Sequence, residues 1–195
     1  MGRLFFLMGK SSTGKDSIYN KLLKREDLRL GRVVSYTTRP IRAGEVDGVD
    51  YHFCTEEQKN KLHGENRIVE IRSYPTIHGN WDYFTVDDGG LNLDIGDYAM
   101  IGTLESFGKI REYYKNKEII PIYIEVEDGV RLQRAIDREK TQDFPRYEEL
   151  CRRFLADSED FSEDKLREMG ISHRFINNDV DKTTDSIAEF IKEYN

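Results

Sequence analysis

The chain has 195 residues, 37% hydrophobic and 34% charged, with 30 basic against 37 acidic side chains and a formal charge of -7. That length predicts one compact unit with inserted lobes, and 10 Phe and 11 Tyr are enough to fill a core, which argues against disorder. The acidic balance disfavours passive capture of a nucleic-acid backbone, while Cys54 and Cys151, lacking CxxC spacing, point away from a zinc site or disulfide framework.

In chain order, Arg3 to Met8 is a continuous apolar run stopped by Gly9, which predicts a buried parallel strand. One Arg followed at once by a glycine-rich loop leaves no room for a signal peptide, so the chain is expected to be cytoplasmic. Asp16 to Arg25 carries Ile18, Tyr19, Leu22 and Leu23 at helical spacing, and strand, loop and helix together read as the first half of a βαβ unit. A second strand is expected at Val33 to Tyr36, and others at Tyr98 to Leu104 and Ile119 to Val126. The apolar runs at 4–8 and 119–124 are too short to cross a membrane. Glu105 to Lys115 is the expected crossover helix, and Thr184 to Tyr194 a closing helix. Residues 36–95 suggest several short extended pieces, and 128–167 are charged and helical in pattern. The expected class is α/β: a parallel sheet flanked by helices, with two inserted lobes.

Gly9-Lys10-Ser11-Ser12-Thr13-Gly14-Lys15 fits G-x-x-x-x-G-K between that strand and helix, the context a phosphate-binding loop requires. Glycines permit the curl, and amides of Gly9, Ser11, Ser12, Thr13 and Gly14 with the helix N-terminus face an anion. Lys15 is expected to reach the β- and γ-phosphates of ATP as a point charge. Asp16 stands where Ser or Thr usually follows the Lys, so it either faces away from the phosphates, acts through Mg²⁺, or favours the first helical turn. Ser17, one residue later, is the candidate hydroxyl for the metal.

Downstream comes Ser35-Tyr36-Thr37-Thr38-Arg39-Pro40-Ile41-Arg42-Ala43-Gly44-Glu45-Val46-Asp47-Gly48-Val49-Asp50-Tyr51-His52-Phe53. It resembles the guanylate kinase signature S-x-T-T-R-x-x-R-x-G-E-x-x-G-x-D-Y-x-F, and the resemblance extends to Phe175-Ile176-Asn177-Asn178-Asp179 near the end. Arg39 and Arg42 are close enough in sequence to clamp one phosphate, with Tyr51 donating its hydroxyl. The resemblance assigns Ser35, Arg39, Arg42 and Tyr51 to the GMP site, and Glu70 to the guanine. A carboxylate accepts guanine's N1–H and amino group together, whereas adenine presents an acceptor at N1.

The pattern departs at Gly79-Asn80-Trp81-Asp82-Tyr83-Phe84-Thr85, where the family has G-N-Y-Y-G and then Ser or Thr. Tyr83 is paired here with the phosphate-binding Tyr and Thr85 with the guanine-contacting hydroxyl, while Phe84 replaces a small Gly and alters the pocket. In Thr103-Leu104-Glu105-Ser106-Phe107-Gly108, Glu105 keeps one carboxylate of the family's D-x-D-x-Q-G, for guanine or the magnesium shell, and Thr103 replaces the other. The resemblance names Arg134, Arg138 and Arg153 as lid arginines, catalytic with Lys15 and Arg39, and Asn177 as an adenine contact. Arg131 and Arg152 read as solvated helix charges; His52, His63, His78 and His173 as structural or surface residues; Cys54 as a buried small hydrophobe.

The resemblance thus implies a P-loop core at 1–34, 96–127 and 168–195, a nucleoside monophosphate lobe at 35–95 and a lid at 128–167. It implies phosphorylation of GMP and dGMP by Mg·ATP, in a monomer or homodimer without nucleic-acid or membrane partners. Two other readings stay open: a related kinase with a different phosphorylated acceptor, and an inactive phosphopeptide-binding module.

Overall fold

The structure, a computed structural model, describes residues 2–42, 44–76 and 79–194. Strand β1 (Arg3–Met8) alternates its side chains, so Leu4, Phe6 and Met8 enter one layer of core and Phe5 and Leu7 the other, all fully buried. Each such side chain stabilises the fold by roughly 1.5–3 kcal/mol. Beside β1 run β7 (Tyr98–Ile101) and β8 (Glu118–Glu125), extended by β2 (Gly31–Arg32) and β9 (Arg174–Ile176) to the order β2-β7-β1-β8-β9, all parallel.

Helices cover both faces. α1 (Lys15–Leu23) and α7 (Val180–Lys192) bury Ile18, Leu22, Ile187 and Ile191 against Phe5 and Leu7. α3 (Leu104–Tyr113) brings Phe107 and Ile110 to the other face, joined by Phe161 and by Leu166 of α6 (Glu163–Glu168). The charged segment forms α4 (Asp128–Lys140) and α5 (Tyr147–Asp160).

A second sheet, ordered β4-β3-β6-β5, is built from β3 (Tyr36–Thr37), β4 (His52–Phe53), β5 (Ile68–Thr76) and β6 (Gly79–Val86), with α2 (Glu56–Gly64) beside it. β5 and β6 run to 9 and 8 residues, longer than the short pieces expected from sequence. Pro75 is tolerated because β5 is an edge strand.

Some boundaries differ from expectation. Val33 to Tyr36 is not one strand: the chain leaves the parallel sheet after β2 and enters the second sheet at β3, with the Val33 amide donating to the Ala99 carbonyl at the crossing. The seventh strand stops at Ile101 because Thr103 caps α3, its hydroxyl accepting the Ser106 amide, so Leu104 is helical. α7 starts at Val180 rather than Thr184, since the Asp179 carboxylate accepts the amides of Asp181 and Lys182.

Candidate active site

The loop between β1 and α1 lies at the C-terminal end of a central parallel strand, where open α/β sheets expose loop amides and a helix N-terminus. A Cβ on Gly9 would stand 2.4 Å from the Ile124 carbonyl oxygen. Gly14 has φ +84°, and a Cβ there would stand 2.6 Å from Asn177 Nδ2, so both glycines are required. Ser12 also adopts a positive φ of 65°, and its Oγ is buried with no hydrogen-bond partner among the described residues. Its one hydroxyl donor is therefore not used within the described residues.

Thr13 closes the loop on itself, donating to the Lys10 carbonyl at 2.9 Å. Lys15 opens α1 with its ammonium 3.7 Å from the exposed Asp16 carboxylate. Ser17 is exposed in the same first turn. These two side chains offer oxygen donors of the kind Mg²⁺ takes, and an ion bound largely by nucleotide phosphates needs few protein ligands. No cluster of three or more His, Cys, Asp or Glu able to hold a metal occurs among the described residues.

The Asn177 side chain is fully buried, donating from Nδ2 to the Thr13 carbonyl at 2.7 Å and accepting from Thr183 Oγ1 at 3.2 Å. It braces the Gly9–Lys15 loop from beneath. Arg134 is turned the same way, donating to the Asn177 carbonyl at 3.3 Å. Arg138 and Arg153 instead line a small pocket against Ser11 and Ser12, with Leu150 and Phe154 as its apolar wall. Arg153 Nε forms an ion pair with Glu149 at 3.6 Å but makes no hydrogen bond among the described residues.

Arg131 corrects an expectation. It is 1% exposed, not a solvated charge. Its guanidinium sits 4.0 Å over the Phe154 ring and bonds Asp128 Oδ1 at 2.9 Å, Asp157 Oδ2 at 3.1 Å and the Ser11 carbonyl at 3.4 Å. Asp157 also accepts the Ser11 amide at 2.7 Å, so α4, α5 and the loop meet in one buried ionic knot. Burial alone would raise the Asp128 carboxyl, but Arg131 and Lys10 outweigh it and hold it below its ordinary range. Nothing in the spacing marked Asp157, whose partner lies far away in sequence; the Asp128–Arg131 pair was visible as an i, i+3 contact. Arg152 is exposed on α5, as expected, and pairs there with Glu149 at 2.7 Å.

Across from the loop, the second sheet presents a polar face. The register pairs Glu70 with Thr85, Arg72 with Tyr83 and Tyr74 with Trp81, which puts these side chains on one side of the β5–β6 hairpin. Glu70 is not at an exposed strand end: the strand continues past it, a bulge after Ile68 sets its facing, and its side chain is fully buried. Thr85 Oγ1 donates to Glu70 Oε1 at 2.9 Å, so the predicted pair is together. Phe84 points the other way, fully buried and stacked on Tyr36 at 5.6 Å, so its bulk does not fill this face. Glu105, largely exposed, opens α3 nearby and pairs with Lys109 at 2.7 Å, while Lys109 also donates to the Ile71 carbonyl.

At the other end, Arg39 is 3% exposed and binds Tyr83 OH from Nε at 3.1 Å. Its Nη1 and Nη2 grip Glu45 at 2.9 and 2.8 Å. Arg42 is exposed and its amide donates to the same Glu45 carboxylate, so Glu45 bridges the two arginines. Tyr51 packs edge-on to Tyr83 at 5.6 Å, beneath Arg39. Burial first, then Tyr83 and Asp16, keeps the Tyr51 hydroxyl protonated above its ordinary pKa against the pull of Arg39 and Arg72, which leaves it a donor. Asp16 thus lies within electrostatic reach of Tyr51, linking the loop to this face. Ser35 ties the lobe together through its carbonyl, which accepts the His52 amide at 2.9 Å.

His52 stacks on Tyr36, His173 on Phe190, and His63 is exposed, while His78 lies outside the described residues. Cys54 is half-buried and its thiol is pushed up to about 11, mainly by burial. Glu45, Asp157 and Arg72 are the site residues that sequence reasoning left without a role.

The guanylate kinase family pattern matches residues 1–81. A guanylate kinase of Chlorobaculum tepidum is 31% identical over 210 aligned positions, covering 99% of this chain and 93% of that protein. A guanylate kinase of Schizosaccharomyces pombe reaches 48% identity over 64 residues, or 33% of this chain and 32% of that one. Among solved structures, a guanylate kinase from Anaplasma phagocytophilum superposes with a TM-score of 0.66 at 22% identity, covering 99% and 86% of the two chains, a likeness of fold.

Proposed function

This chain belongs to the guanylate kinase family, and from that membership and the two-sided site we propose that it transfers the γ-phosphoryl group of ATP to GMP and dGMP. The observation that carries the proposal is the acceptor face: a buried Glu70–Thr85 pair at one end and the Arg39–Tyr83–Tyr51 group at the other, opposite a glycine loop with an unpaired buried hydroxyl. Glu70 reads the N1–H and amino group of guanine, and Arg39, Arg42 and Tyr51 hold the acceptor phosphate. Lys15 and the loop amides hold the donor phosphates. Arg138 and Arg153 approach the transferring group, and Arg134 acts through the Asn177 backbone. Residues 35–95 serve as the acceptor lobe and 128–167 as the lid, with Phe161 and Leu166 anchoring the lid to the core.

An oxygen of the GMP phosphate attacks the γ-phosphorus in line, the bond to the β–γ bridging oxygen breaks, and ADP leaves with GDP formed. No general base is required, because the attacking phosphate is already ionised near neutral pH. Catalysis then rests on positioning and on donors aimed at the developing charge. Mg²⁺ supplies neutralisation of the β- and γ-oxygens; Asp16 and Ser17 are the residues here suited to its shell. Glu45 yields Arg39 to the incoming phosphate and holds it in place beforehand.

No observation favours a different acceptor or an inert binding module. No helix among the described residues is long and apolar enough to cross a membrane, and we propose a cytoplasmic monomer or homodimer. The test is chromatographic detection of GDP from GMP, ATP and Mg²⁺. GDP that disappears on chelation with EDTA supports the proposal; ATP left intact beside bound GMP contradicts it.

A further inference from the structure

Arg72 stands opposite Tyr83 in the β5–β6 register and two residues from Glu70, so it rises from the acceptor face between the base end and the phosphate end. Its side chain is 10% exposed while that of Glu70 is at 0%, which makes Arg72 the group that covers the carboxylate. Nε donates to Glu70 Oε2 at 3.0 Å and Nη2 to Oε1 at 3.2 Å. A guanidinium has five N–H donors, so these bonds leave donors over for a ligand. Its charge is felt at both Tyr74 and Tyr51, the aromatic rings flanking that position.

We infer that Arg72 is a specificity-determining residue of the acceptor site, donating to the 6-oxo group of guanine while Glu70 accepts from N1–H and the amino group; this rests on the GMP reading above. Guanine's edge presents an acceptor at O6 beside its two donors. A carboxylate answers the donors and repels O6, so Glu70 alone leaves that atom without a partner. The Thr85 hydroxyl has one hydrogen and gives it to Glu70, so Arg72 is the group next to the same carboxylate with N–H donors to spare. Adenine would set its 6-amino hydrogens against the guanidinium hydrogens, a second rejection independent of Glu70. In the empty site the pair also keeps the buried carboxylate compensated, and an entering base displaces one of the two bonds.

The experiment compares kcat/KM for GMP and for 6-thioguanosine monophosphate, which keeps N1–H and the amino group but replaces O6 by a weak sulfur acceptor. Wild type is expected to prefer GMP by roughly tenfold, and Arg72→Ala to lose that preference to within about twofold. The preference for GMP over IMP, which lacks only the amino group, is expected to survive. Since alanine strips a buried charge of its partner, Arg72→Gln, which keeps one amide donor for Glu70, serves if the first variant does not fold. A GMP-to-thio preference absent in wild type, or unchanged in either folded variant, overturns the inference and leaves the kinase reading standing. Wild type that makes no GDP removes both.

Discussion

Removing the Asn177 amide would take the side-chain donor from the Thr13 carbonyl in a buried place and leave the Thr183 hydroxyl with only its 3.4 Å bond to the Ile176 carbonyl. Asn177→Ala is therefore expected to lower stability by about 1–3 kcal/mol in urea denaturation. It should also raise KM for ATP several-fold and leave KM for GMP nearly unchanged, because the brace lies under the donor loop alone. Acid titration offers a second residue-scale test. Arg39 holds the Glu45 carboxyl below its ordinary range, and Asp82 is held low too, burial notwithstanding, by the Lys59 ammonium and the Ser73 hydroxyl. The native state then binds fewer protons than the unfolded chain, so stability is present above the ordinary carboxylate pKa of about 4 and falls as pH drops through the lower folded values. Thermal melts from pH 7 to 3 should show this decline, and Asp82→Asn should flatten it; a melting temperature rising on acidification would contradict it. Lys15, Gly9 and Gly14 were legible because a phosphate loop is a local motif. The burial of Arg131 was not, since Phe154 and Asp157 reach it from another helix.

Between elements, the Arg131 knot joins α4 and α5 to the phosphate loop. Arg131→Met strands Asp157 with only the Ser11 amide and is expected to cost about 3 kcal/mol, measured by urea unfolding. Arg131→Met with Asp157→Asn should cost less than the sum of the single changes, and full additivity would show that the two side chains do not interact. The cap of α3 answers a question the sequence raised, for Thr103 fills an acidic position of the family pattern with a helix cap. Thr103→Ala is expected to lose about 1 kcal/mol, whereas Thr103→Asp, which also caps, should keep stability. Strand β1 and helix α1 were readable from periodicity, which follows burial on one side or both. The β5–β6 hairpin was not, because its faces carry Glu70, Arg72 and Ser73, whose polarity reads as a loop until the acceptor face and the Asp82 contacts account for it.

At the scale of the molecule, the parallel sheet carries the proposed donor loop and the second sheet the proposed acceptor face, with α3 packed beside β5. The family signature draws on motifs in both sheets, because each carries short-range sequence demands. How the lid contacts the loop depends on packing between distant helices, which no spacing encodes. The most direct measurement is ADP release from Mg·ATP with GMP, dGMP, AMP, CMP, UMP or no acceptor, in wild type and in Lys15→Ala. Turnover with GMP and dGMP, at least about a hundredfold above AMP and abolished by the Lys15 change, is the expected result. Turnover that ignores the base, or that survives in Lys15→Ala, would contradict the roles given to Glu70 and to the phosphate loop.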